Sequence, residues 1–124
     1  MAKTNFHELA VLNTARGTNL TAWTPYVALF TAVTDAEAGT VTEVAVTRIL
    51  ATFGAPAAAG SMTNSGTVTF AAAGSNLGTV THFGLFDAVS GGNLRYVGAL
   101  SSSFAYNTGV QPSFAVGALT VSES

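Results

Sequence analysis

The side chains with chemical potential in this sequence are two histidines, six carboxylates and many hydroxyls. His82 and Asp87 lie close together in GTVTHFGLFDA, residues 78–88. A Ser-His-Asp relay would need a base held by a carboxylate, but no GxSxG elbow is present. Five residues apart on a strand, His82 and Asp87 lean to opposite faces. A packed histidine and a turn-forming aspartate account for them, and no catalytic residue is assigned. His7 beside Glu8 makes no metal constellation, and without cysteine a structural zinc site has too few ligands. Asp35 and Glu37 lack the spacing of a calcium loop. The loop GAPAAAG lacks the Lys-Ser/Thr ending of a phosphate loop. No metal or cofactor is expected.

The elements that would position such groups are mostly strands. NFHELAVLNTAR, residues 5–16, is the one good helix pattern. Asn5 is placed to cap it with Glu8 three residues on, and Gly17 to close it. Phe6, Leu9, Ala10 and Asn13 share a stripe, with Leu12 beside it. That stripe belongs either against the chain's own domain or against another chain. After Pro25 the period becomes two. In PYVALFTAV both faces are apolar, which predicts a strand covered on both sides. VTEVAVTRILATF, residues 41–53, reads as one long or broken strand. The tetrapeptide GTVT occurs at Gly39, Gly66 and Gly78 as a strand-entry signal, and VGAL at Val97 and Val116 marks two more strands. SGGN, residues 90–93, reads as a hairpin turn. The expected fold is all-β: a single-domain β-sandwich or jelly roll over residues 25–124, with a short N-terminal helix or arm over residues 1–24.

Composition narrows the function. Only 8% of the 124 residues are charged, against about 25% in an ordinary domain. Between Arg48 and Asp87 there is no charged residue. Thr, Ser, Asn, Gly and Ala take the places that Lys and Glu usually hold. Such a surface suits contact with other protein subunits better than solitary life in solution. The four basic residues are scattered, which argues against nucleic acid. No apolar run reaches the length of a membrane span, and the N-terminus has no apolar signal core. Contact residues are expected at Phe6, Leu9 and Leu12 on the helix, at Trp23 in the linker, and at Phe104 and Tyr106 in a serine-rich connection.

GTVTHFGLFDA, GGNLRYVGAL (91–100) and PSFAVGALTV (112–121) together resemble a known family. These are the small virion proteins of tailed bacteriophages usually labelled phage tail fibre protein. The match runs in order from residue 5 to residue 121, and His82-Phe83-Gly84 followed by Phe86-Asp87 is its most specific part. VTEVAVTRI departs from the family's glycine-rich Tyr-Ala-Arg segment, so the edge around Arg48 is expected to differ. The resemblance implies a structural virion protein, made in the bacterial host cytoplasm, and not an enzyme. A chain this short, with no stalk repeats, points first to a capsid cement or decoration protein on the capsid surface. In that reading it forms a homo-oligomer, expected as a trimer, bound to the major capsid protein. A short tail fibre or tail-associated host-binding protein comes second, and a hydrolase a distant third.

Overall fold

The computed structural model describes residues 2–56 and 60–122. The chain order is β1 (Ala2–Lys3), α1 (Asn5–Thr14), β2 (Tyr26–Asp35), β3 (Thr40–Glu43), β4 (Ile49–Leu50), β5 (Ser61–Thr63), β6 (Val68–Thr69), β7 (Thr79–Phe86), β8 (Leu94–Ala105), β9 (Ser113–Phe114) and β10 (Thr120–Ser122). The fold is all-β with one short N-terminal helix, as the sequence predicts. One antiparallel sheet runs β1-β8-β7-β2-β3, with β4 also pairing on β2. Two ribbons, β5 with β10 and β6 with β9, form separate small sheets.

Period-two alternation in the long strands builds two apolar layers. Val27, Leu29, Phe83, Leu85 and Tyr96 contribute to the larger core, which the ribbons close with Val68, Leu119 and Val121. Ala28, Phe30, Phe86, Leu94 and Val97 form a second cluster, packed against Val33, Ala36 and Val41. β2 is therefore covered on both sides, as its doubly apolar pattern requires.

Residues 41–53 form a broken strand. β3 stops at Glu43 and β4 starts at Ile49. Between them Arg48 turns back onto the fold. Its guanidinium lies 3.4 Å from the Phe86 ring centroid, meets Glu43 through Nε and Nη2 at 2.8 and 2.9 Å, and donates to the carbonyls of Ala88 and Gly91.

The GTVT copies do start strands. Gly39 and Gly78 have φ of 75° and 98°, a left-handed turn that glycine makes without a Cβ clash. The second VGAL copy behaves differently. Val116–Ala118 is a turn, and only Thr120 enters β10. Asn64 forces this, since it is wholly buried and its amide group must be satisfied. Its Nδ2 donates to Gly66 and Ala115 carbonyls, and its Oδ1 accepts from the Leu119 amide.

Tyr106, expected at a contact surface, is fully buried instead. Its hydroxyl donates to the Ala71 carbonyl, and its backbone bonds to Leu77 and Gly78. Burial pushes its phenol above the ordinary value of 10.0. A large aromatic with a satisfied hydroxyl serves the core better than a rim. Phe104 is half-buried beside it, with ring centroids 6.1 Å apart.

Gly84 sits where the two central strands approach Phe30. A Cβ there would lie 2.5 Å from Phe30 Cε2 and 2.8 Å from Leu94 Cδ1. Phe30 is 0% exposed and has nowhere to go. Gly84→Ala is expected to destabilise the domain by about 1–3 kcal/mol through overpacking, read as a lower urea midpoint at unchanged slope.

Candidate functional site

The N-terminal helix and the residues that fasten it form the candidate site. Thr4, not Asn5, is the N-cap. Its backbone is extended (φ −75°, ψ 156°), and its hydroxyl oxygen accepts from the His7 amide at 3.3 Å. The same hydroxyl donates to the Leu94 carbonyl. The Thr4 amide donates to the Arg95 carbonyl and the Asn5 amide to the Glu37 carbonyl. β1 pairs Ala2 with Val97 and Lys3 with Tyr96. The start of the helix is thus stitched to the start of β8. The anchoring of Thr4 within the sheet moves the cap one residue ahead of the position that the Asn5/Glu8 pattern suggests.

His7 is the buried residue of α1. The Arg95 Nη1 donates to its Nδ1 at 3.2 Å. A guanidinium has no acceptor, so Nδ1 carries the lone pair and Nε2 the ring proton. Nε2 then donates to the Tyr96 hydroxyl at 3.0 Å. On its other side Arg95 donates through Nε and Nη2 to Asp87 Oδ2, at 3.2 and 3.1 Å. Asp87 also accepts from the Asn93 amide at 2.7 Å. A continuous polar chain therefore runs Asn93–Asp87–Arg95–His7–Tyr96. Both charged members are largely buried, with side chains 10% and 14% exposed. Burial alone would raise the Asp87 carboxyl, but the Asn93 amide and the Arg95 guanidinium outweigh it and hold the group below the ordinary value of 3.8.

Aromatic rings wrap the chain. The Arg95 guanidinium carbon lies 5.0 Å from the ring centroids of both Phe6 and Trp23. His7 meets Trp23 edge-on at 5.9 Å and Tyr96 at 4.7 Å. Trp23 is half-buried and packs on the main core.

With His7 turned inward, the apolar stripe of α1 faces out. Phe6, Leu9 and Leu12 are 45%, 63% and 64% exposed. The helix puts its imidazole on the sheet and its leucines toward the surroundings. Beside α1 lies an apolar groove of about 670 Å³, lined by His7, Val11, Leu20, Trp23, Phe53 and Met62 among others. None of its lining residues is Asp, Glu, Lys or Arg.

The chemistry considered for His82 and Asp87 is not assembled. His82 lies in β7, with Nδ1 2.8 Å from the Thr81 hydroxyl, while Asp87 is committed to Arg95 and Asn93. Among the described residues, no group of three or more His, Cys, Asp or Glu side chains is placed to hold a metal ion. No described helix is long and apolar enough to cross a membrane.

A family model described as Podophage GP4 fiber I protein gp80 matches residues 2–122. The chain belongs to this family. The resemblance carried by residues 78–88, 91–100 and 112–121 therefore holds, and the fibre family is one of bacteriophage structural proteins of the virion. No curated protein matches the chain. Within the family fold, the site missed by sequence reasoning is Arg95. Its signal was an arginine inside the apolar run LRYV, which demands a buried partner.

Two outcomes follow from the polar chain. Arg95→Met leaves Asp87 and His7 without their shared donor and is expected to cost roughly 3–5 kcal/mol, measured by urea unfolding. Acid is expected to act through Asp87. Its folded-state affinity for a proton is lower than in the unfolded chain, so its contribution is complete above 3.8 and disappears as pH falls through and below that value. The melting temperature should drop from about pH 5 to about pH 2, and Asp87→Asn should flatten that slope.

Proposed function

We propose that the chain is a subunit of a short tail fibre, or of a tail-associated fibre assembly, and works by self-association and attachment with no catalytic step. The observation that carries this reading is the family match over nearly the whole chain to a podophage fibre protein. The match favours the fibre over the capsid cement role that chain length suggested. A short chain without stalk repeats remains compatible with a fibre if several copies assemble into the shaft or its base. The attachment partner in this reading is another tail protein in place of the major capsid protein.

Two physical features support assembly. The chain carries few charges, so contact between subunits strips little water from ions. Phe6, Leu9 and Leu12 present an apolar ridge on a helix pinned from beneath. Many such contacts in a symmetric assembly add by avidity. A trimer is the expected closed form.

Location is tested by antibody labelling of intact particles combined with quantitative mass spectrometry. Label confined to the tail, at a copy number far below that of the shell protein, is the expected result. Label spread over the head, at a copy number comparable with the shell protein, would reinstate the cement role. Since few ions are involved, attachment should survive 1 M NaCl, where the screening length falls to about 3 Å.

A further inference from the structure

We infer that His7 is a proton-operated latch: a second proton on its imidazole releases α1 and the linker after it from the sheet, while the sheet itself stays folded. The device belongs to the single chain and does not depend on the assembly reading above.

The docked ring has no place for a second proton. Nε2 already carries one and gives it to the Tyr96 hydroxyl at 3.0 Å. Nδ1 accepts from the Arg95 Nη1 at 3.2 Å. A proton on Nδ1 would set N–H against N–H and put a second cation beside the guanidinium. His7 is 3% exposed, so water screens such a pair poorly where it lies.

The other charges around the ring do not offset this one. Arg95 and the Tyr96 hydroxyl face it from β8. Asp87, in the β7–β8 turn, lies on the far side of the guanidinium, with Oδ2 on Arg95 and Oδ1 on the Asn93 amide. Lys3 of β1 is the register partner of Tyr96 and is itself a cation. Glu8 follows His7 on the helix but belongs to neither the Arg48–Glu43 pair nor the Arg95–Asp87 pair. Glu37 meets the helix start through its backbone carbonyl, which accepts from the Asn5 amide. Trp23, edge-on to the ring from the linker, is uncharged.

The rest of the segment is lightly held. Thr4 and Asn5 fix its start on Leu94, Arg95 and Glu37, and the Pro25 carbonyl fixes its end on the Ala51 amide. The described hydrogen bonds of residues 8–18 all close within residues 4–18. Among the described hydrogen bonds, those of the His7 ring tie residues 6–24 to β8. Trp23 rests on the same cluster, against His7, Tyr96 and Arg95. The imidazole sits on a short side chain of a helical residue, so it reaches water when the helix lifts. A freed imidazole takes its proton near pH 6.5 and the docked one takes none. The ratio of docked to released helix therefore has its full value above about pH 6.5 and falls up to tenfold for each unit below it. Release frees the stripe of Phe6, Leu9 and Leu12 from the orientation that His7 imposes.

Trp23 is the single tryptophan, so its emission reports on the latch directly. The test titrates the full chain, His7→Gln and His82→Gln from about pH 7.5 to about pH 4, a range that spans the ordinary histidine value. Glutamine at position 7 can accept from Arg95 and donate to Tyr96 without taking a proton. In the unaltered chain and in His82→Gln, the Trp23 emission is expected to move to longer wavelength between about pH 6.5 and about pH 4, with the strand signal in far-UV circular dichroism retained. His7→Gln is expected to keep its short-wavelength emission throughout. An unaltered chain whose emission does not move overturns the latch, and so does an equal shift in His7→Gln. Should His7→Gln already be released at neutral pH, the imidazole proton resonances of His82→Gln decide, since His7 is then the remaining histidine. Titration of that ring in step with the Trp23 shift supports the latch, and a ring that stays neutral through the shift overturns it.

Discussion

One guanidinium organises the end of the molecule on which the proposed function depends. Arg95 sits on the sheet among apolar neighbours, and a buried cation needs partners on all sides. Asp87 supplies the charge, His7 a lone pair, and Phe6 and Trp23 their ring faces. These four partners come from three stretches: the β7–β8 turn, the helix, and the linker before β2. Satisfying a single ion therefore brings together three segments far apart in the chain. The same demand turns His7 inward, and the rigid 3.6-residue repeat of the helix then turns Phe6, Leu9 and Leu12 outward.

That coupling gives the scarcity of charge a structural sense. Two ion pairs are spent within the fold, both against the β7–β8 turn. Arg48 lies on Phe86 and grips Glu43, and Arg95 grips Asp87. Few remain to keep neighbouring copies apart or to steer them over long distances. A surface of hydroxyls and small apolar groups can come together with other protein surfaces at small desolvation cost. A fibre built of repeated subunits needs that property along its length.

The elements fall into two classes of legibility. β2 was written in the sequence because both of its faces are apolar, which only a covered strand tolerates; β7 and the start of β8 were legible from the GTVT entry at Gly78 and the VGAL motif at Val97, while the extension of β8 through Ser101–Ala105 was read as part of a connection. The failures had specific competitors. The Asn5/Glu8 pattern lost to Thr4, whose hydroxyl could bond both the helix and the sheet. VGAL at Val116 lost its strand to the needs of buried Asn64. Tyr106, in a polar stretch, went to the core because Ala71 offered its hydroxyl a partner.

By itself, the sequence determined an all-β chain with one short helix, an uncharged surface and the family to which it belongs, because periodicity, composition and local motifs are properties of neighbouring residues. Which side of the helix faces the sheet was decided only in three dimensions. An apolar stripe reads the same whether it meets its own core or a neighbour, and the choice turned on an arginine 88 positions away from the histidine it holds. Leaving that cation without its partners costs about 3–5 kcal/mol, and no local pattern in residues 5–16 records the demand.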